Sequence, residues 1–283
     1  MSFFKKSIFF VCFLISIRSF ASIDGTIYIE TIQGKGIGYP VGYETLGLFL
    51  SPTFSHKPQL HPFLDLRGHR FNNGKGAANF GMGVRYKSES LQKVFGCNLF
   101  YDLRRTNANL KQIGLGVEMF AKRFDLRSNG YLPVGNKIAP RRSPYYTYDD
   151  DYYLSMTCKQ RALPGFDMEI ATSLKKWDGS SEINFYGAIG PYYFHEHHHT
   201  PIIGGQARAG FTLLQEMLTM EVRISYDDTF HKIVQGLISL AVPFGPDRKK
   251  KKDLLREQAL FTPVERKEII VNNKKSCSSY YNW

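Results

Sequence analysis

From residue 43 onward the chain alternates apolar and polar side chains with a period of two, the pattern of a strand with two unlike faces. Phe80, Met82, Val84 and Tyr86 share one face, and Asn79, Gly81, Gly83 and Arg85 the other. Cys97, Leu99 and Tyr101 oppose Asn98 and Asp102. Ile113, Leu115, Val117 and Met119 oppose Gly114, Gly116, Glu118 and Phe120. Phe124 and Leu126 alternate with Asp125, Arg127 and Asn129, and Phe166, Met168 and Ile170 with Asp167, Glu169 and Ala171. Met220, Val222, Ile224 and Tyr226 face away from Glu221, Arg223, Ser225 and Asp227. The last run sets Ile238, Leu240, Val242 and Phe244 on one side.

The polar faces decide the class. A water-soluble sandwich would expose them, but here they are rich in glycine and carry charges of both signs. Arg85, Arg127, Arg208 and Arg223 are matched by Asp102, Glu118, Asp125, Asp167, Glu169, Glu221 and Asp227, with Asn98 and Asn129 among them. A narrow barrel lumen calls for small residues where the wall is crowded and for paired charges elsewhere. These residues are therefore expected to face a lumen. Tyr86, Tyr101, Tyr131, Tyr152, Tyr153, Tyr192, Tyr193, Phe194, Tyr226 and Phe244 lie near segment ends, where aromatic girdles meet membrane interfaces.

Segments of about ten residues match the height of an outer-membrane strand. The pattern predicts an all-β fold, a closed antiparallel transmembrane β-barrel of about twelve strands. The strands fall near 43–51, 59–71, 77–88, 92–104, 110–122, 124–133, 152–161, 165–175, 183–194, 204–214, 216–227 and 231–244. The longest connection, 134–151, follows an even-numbered strand, on the side where turns are normally short. Either it packs there or the count is off by one before it.

Composition adds the compartment. The first residues place Lys5 and Lys6 before an apolar run from Ser7 to Ile17, then Ser19-Phe20-Ala21 with small residues flanking the phenylalanine. A basic end, an apolar centre and a small-x-small site describe a cleaved secretory signal peptide over 1–21. The organisation expected is 1–21 signal peptide, 22–42 N-terminal periplasmic segment, 43–245 barrel and 246–283 basic C-terminal linker, short and helical or extended. No apolar run is long enough for a helical span. The formal charge is +12. The tail from Pro246 holds ten Lys/Arg against five Asp/Glu, while residues 22–245 carry only +4. Such a tail suits an acidic lumen, a membrane surface or plain solvation. Nucleic acid is excluded as partner by export and by the lack of aromatics near Lys249–Lys252. Beyond Cys12 of the leader, Cys97, Cys158 and Cys277 remain. An odd number leaves at least one thiol free or paired between chains.

The run Gly96-Cys97-Asn98-Leu99-Phe100-Tyr101-Asp102, then Ile113-Gly114-Leu115-Gly116-Val117-Glu118 and Asn129-Gly130-Tyr131-Leu132-Pro133, resembles the β-domain of the inverse autotransporters, the intimin and invasin type. Arg161-Ala162 with Gly165-Phe166-Asp167, Ser225-Tyr226-Asp227 and Val242-Pro243-Phe244-Gly245 continue the likeness. So does Pro263-Val264-Glu265-Arg266-Lys267-Glu268-Ile269-Ile270-Val271 beyond the barrel. The resemblance implies a twelve-stranded outer-membrane barrel whose C-terminal linker threads the pore to a surface passenger, often an adhesin. Here twelve residues follow Val271, too few for a domain.

No catalytic constellation competes with this reading. His195, His197, His198 and His199 around Glu196 read as an exposed loop rather than a metal site, as do Asp149-Asp150-Asp151. Gly34-Lys35-Gly36-Ile37-Gly38 lacks the ending of a phosphate loop. No nucleophile stands beside a base, and no cofactor or metal is expected. The function expected is a surface-exposed or structural outer-membrane barrel without its passenger. The alternative is a narrow pore for ions or small solutes. Partners are outer-membrane lipid, the barrel assembly machinery with periplasmic chaperones, and a host or surface ligand met through the outer loops. Asp253–Phe261 has helical composition ended before Pro263. If Asp253–Phe261 lies in the lumen, its charges should meet opposite charges on the inward faces, among them Asp102, Glu118, Arg127 and Arg223.

Overall fold

The computed structural model describes residues 20–54, 59–106, 109–135, 138–142, 146–148, 152–174, 183–195, 201–214, 217–245, 259–273 and 276–282. Strands β1 (Phe20–Gln33), β2 (Tyr43–Phe54), β3 (Leu60–Phe71), β4 (Gly76–Ser88), β5 (Lys93–Arg105), β6 (Asn109–Phe120) and β7 (Asp125–Val134) come first. Two short strands, β8 (Ile138–Arg142) and β9 (Tyr146–Tyr148), and the longer β10 (Tyr152–Arg161) follow. Then come β11 (Gly165–Leu174), β12 (Asn184–Phe194), β13 (Ile202–Leu213), β14 (Leu218–Asp227) and β15 (Ile233–Phe244). A 3-10 turn at Ala259–Phe261 and β16 (Ser276–Asn282) complete the chain.

Twelve of these strands close a barrel in the order β1-β15-β14-β13-β12-β11-β7-β6-β5-β4-β3-β2. Every pairing is antiparallel, and closure is made by β1 on β15, from Gly25↔Phe244 to Gln33↔Gly236. Closure leaves no unpaired edge for lipid to meet. The expected count of twelve holds, but two members differ. The segment 22–42 is not a periplasmic extension, because 20–33 forms the first barrel strand. Its alternation is regular, with Ile23, Ile27 and Ile29 exposed against buried Asp24, Thr26 and Tyr28. The segment 152–161 is not in the barrel wall; as β10 it belongs to a second sheet with β8 and β16, with β9 also paired to it. Alternation reports a strand with two unlike faces, not the sheet that the strand joins.

This exchange removes the difficulty of the long connection. β7 is now the seventh barrel strand, so residues 135–164 leave at the end opposite the start of β1 and the finish of β15. We call the latter the terminal end and the former the exit end.

The outer surface is apolar. Leu46, Phe80, Met82, Leu99, Leu115, Val117, Ile170, Ile189, Ile224 and Leu240 all stand exposed along the wall. A belt this continuous is far larger than a water-soluble monomer exposes, and lipid is the solvent that matches it. Tyr86, Tyr101, Tyr226 and Phe244 are exposed on this face. Tyr131, Tyr192 and Phe194 are not girdle residues: they are buried inside, where they pack with Val271. The side chains of Tyr152 and Tyr153 lie outside the described ones. Among the described residues no helix is long and apolar enough to cross a membrane.

The interior is organised around residues 259–273. Leu260 and Phe261 pack with Val94 and Phe120, and Val264 with Phe49, Phe63 and Phe100. Ile269 joins Ile32, Tyr43, Phe71 and Leu237, and Ile270 meets Leu110 and Ala162. Val94, Phe120 and Phe261 sit at the terminal end, while Leu110, Ala162 and Val271 sit at the exit end. The linker therefore runs through the barrel from one end to the other, contributing an apolar residue to each of these clusters. Of Asp253–Phe261, read as helical in composition, residues 253–258 lie outside the described residues. The rest is the 3-10 turn, and beyond it the backbone is irregular and open.

Candidate functional site: the linker-filled lumen

Inward side chains of the wall hold the linker mainly by its backbone. At the terminal end Arg85 is fully buried. Its Nε and Nη2 donate to Glu118 at 3.1 and 3.0 Å, while Nη1 donates to the carbonyls of Ala259 and Thr262 at 2.6 and 2.7 Å. The rings of Phe49, Phe63 and Phe120 lie 4.8–5.5 Å from its guanidinium. Each of its donors meets an acceptor, which offsets the cost of burying the charge.

Halfway up, Asp65 and Arg67 on β3 form a two-residue clamp. Arg67 donates to both Asp65 oxygens at 2.9 and 2.6 Å and to the Val264 carbonyl at 2.6 Å. Asp65 accepts the Val264 amide at 3.0 Å. Arg67 also reaches Glu268 at 2.5 Å. Next to it Arg266 makes a two-pronged ion pair with Asp102, at 2.7 and 2.6 Å, with both side chains almost wholly buried. Its guanidinium lies 4.2 Å from the Phe100 ring centre. Gly114 makes this approach possible, since a Cβ there would stand 2.5 Å from Arg266 Nη2. Asn79 bridges Asp102 and the Glu268 carbonyl at 2.7 and 2.9 Å.

On the β7–β11 side, Asn129 donates to Asp167 at 3.1 Å and to the Glu265 carbonyl at 3.3 Å. Tyr131 donates to Asp167 at 2.7 Å and accepts the Lys267 amide at 2.8 Å. The Lys267 ammonium donates to Gln206 at 2.6 Å. Further round the wall a chain of charges runs Asp125, Arg127, Glu169, Arg208, Glu221, Arg223. Arg208 extends it to the linker's Glu265 at 3.4 Å. Between this wall and the linker lies a cavity of about 100 Å³, lined on one side by Glu265, Lys267 and Glu268 and on the other by Arg127, Glu169 and Arg223.

At the exit end Arg104 donates to the carbonyls of Ile270 and Gly38 at 2.5 and 3.1 Å. Leu163 donates its amide to Val271 at 2.9 Å, and Asn273 donates its amide to Arg161 at 3.1 Å. Gly38 has φ +79°, and a Cβ there would lie 2.4 Å from the Asn272 nitrogen. The loop between β1 and β2 thus closes on the linker through a position only glycine fills without strain. Beyond it β16 pairs with β10 from Lys159↔Ser276 to Tyr153↔Asn282.

Arg85, Asn98, Asp102, Glu118, Asn129, Asp167, Glu169, Glu221 and Asp227 are buried, and Asp125, Arg127, Arg208 and Arg223 are partly so. The charged residues of Asp253–Phe261 lie outside the described residues; among the described ones, Asp102 pairs with the linker's Arg266. Glu118 is taken by Arg85, Arg127 by Asp125 and Glu169, and Arg223 by Glu221. Asp227 serves a turn, accepting the amides of Thr229 and Phe230 at 2.7 and 2.6 Å and the Tyr192 hydroxyl at 2.6 Å. Asn98 is buried against Gly116. Sequence reasoning missed Asp65, Arg67 and Arg104, although Phe63, Asp65, Arg67 and His69 alternate with Leu64, Leu66 and Gly68 as clearly as any segment. Of the histidine loop only His195 is among the described residues, and Asp149–Asp151 lie outside them.

A closed β-barrel with an apolar outer wall and a charged, occupied interior is a bacterial outer-membrane protein. Residues 48–181, from β2 through β11, match the family model "Inverse autotransporter, beta-domain", the family that the sequence motifs resemble. No curated protein matches the chain. Among solved structures, the membrane protein of "Unveiling the Mechanism Behind the in-meso Crystallization of Membrane Proteins" superposes with a TM-score of 0.61 at 17% identity. That match covers 89% of this chain and 100% of the other; it shows the same fold. CdiB from Acinetobacter baumannii gives a TM-score of 0.37 at 9% identity, covering 78% of this chain and 60% of that one. The translocator domain of the autotransporter NalP from Neisseria meningitidis gives 0.32 at 11%, covering 79% and 89%. The matched family is a secretion and display domain, not an enzyme class.

Proposed function

We propose that this barrel is a surface-display translocator whose C-terminal linker is held in transit position through the pore. The carrying observation is direction: the linker passes Arg85, then Asp65 and Arg67, then Arg104, and emerges at the end opposite both barrel termini. A signal peptide cleaved after Ala21 would take only the first residues of β1. Barrel assembly machinery and periplasmic chaperones would then insert the wall, and the outer loops would meet any surface or host ligand. The narrow-pore reading draws less support, because residues 259–273 run along the axis, with a cavity of about 100 Å³ beside them. The test is a short epitope placed after Trp283. Antibody should label it on intact cells. Labelling only after the outer membrane is permeabilised would contradict display.

A further inference from the structure

The second sheet joins two segments that nothing in the barrel requires to meet: β10, inside the β7–β11 connection, and β16, directly after the linker. Their register places Cys158 opposite Cys277, between Thr157↔Ser278 and Lys159↔Ser276. Residues directly opposed in an antiparallel pair project to the same face, with Cα atoms about 4.5–5.5 Å apart. A disulfide spans Cα atoms about 4.4–6.8 Å apart. Cys97 is the remaining cysteine after the leader, and it stands exposed on the outer wall of β5, paired in register with Val84 and Val117. It has no route through the wall to either of the others. The odd cysteine count thus divides into one pair opposed in register and one further cysteine on the outer wall.

We propose that Cys158 and Cys277 form a disulfide that locks the emerging linker to the exit-side sheet. The proposal goes beyond display and rests on it in one respect, since the bond needs the oxidising compartment that export supplies. Both thiols lose their protons, and together the two sulfurs give up two electrons as the S–S bond forms. The acceptor is a low-molecular-weight disulfide outside the outer membrane, which leaves as two thiols after passing through a mixed disulfide. The consequence is topological. The wall from β11 to β15 and the linker become one covalent ring, so the linker cannot withdraw toward the terminal end while the bond is intact. Without it, β16 is an edge strand held through its pairing with β10, and a single strand pairing is marginal on its own.

The experiment uses full-length protein purified from the outer-membrane fraction, alkylated with N-ethylmaleimide without prior reduction and digested with trypsin. Cleavage after Arg142, Lys159 and Lys275 yields peptides 143–159 and 276–283. They should run as one disulfide-linked species that dithiothreitol separates, and C97S should leave it unchanged. Alkylated Cys158 and Cys277 in protein that is correctly located and heat-modifiable would overturn the bond and leave the display reading intact. A chain missing from the outer membrane would overturn display instead. In bilayer recordings, dithiothreitol should raise the frequency of channel opening several-fold in the native protein, with no added effect in C158S/C277S. Unchanged opening on reduction of the native protein would overturn the locking role.

Discussion

Arg266 and Asp102 show how the lumen is built at the scale of single residues. Both are almost wholly buried, and their two-pronged pair is backed by the Phe100 ring and by Asn79. Removing one partner of such a pair leaves an uncompensated charge and costs about 3–5 kcal/mol. Asp102→Ala should therefore release the linker, seen as new protease cleavage within 259–273, and R266A with D102A should recover part of the loss. If single and double variants behave alike, the pair is not what holds the linker. Met82 and Arg85 test the two faces of one strand. Arginine at a mid-height lipid position costs about 2–4 kcal/mol, so Met82→Arg should lower the heat-modifiable, inserted fraction. Arg85→Met strands Glu118 and unties the Ala259 and Thr262 carbonyls. It should insert but hold its linker loosely. A reversed outcome would mean that the faces are inverted.

At the scale of elements, period-two alternation made the barrel strands legible because lipid and lumen select opposite residues on every strand. Phe80 and Met82 against Asn79 and Arg85 could be read without coordinates, and the structure places them so. What was not legible was membership. β10, with Leu154, Met156 and Cys158 alternating with Ser155, Thr157 and Lys159, has the same signature as a wall strand, while β1 abuts the leader and was masked by it. The linker was illegible for another reason. It is held largely through its carbonyls and amides, by Arg85, Arg67, Asn129, Tyr131 and Arg104, and backbone recognition leaves no periodic mark in the recognised segment. Gly114 gives that element a direct test. Gly114→Leu would drive a side chain into the Arg266 guanidinium. The barrel should still form, since β6 keeps its pairing with β5 and β7, but the linker should become protease-accessible. Unchanged protection would show that Arg266 has another place to sit.

At the scale of the whole molecule the structure is a tube whose core is its own tail. The outside is apolar and the inside charged, the reverse of a water-soluble barrel, and the interior charges are tolerated because they pair across strands or onto the linker. The apolar clusters at successive heights each include a linker residue, so wall and linker share a core rather than acting as channel and loose stopper. The central claim is that residues 259–273 thread and close the lumen. Single-channel conductance of the purified protein, with and without residues 246–283, tests it most directly. The account predicts a full-length protein that is closed most of the time and a deletion variant that stays folded and conducts several-fold more. Equal conductance from two folded, heat-modifiable proteins would contradict it.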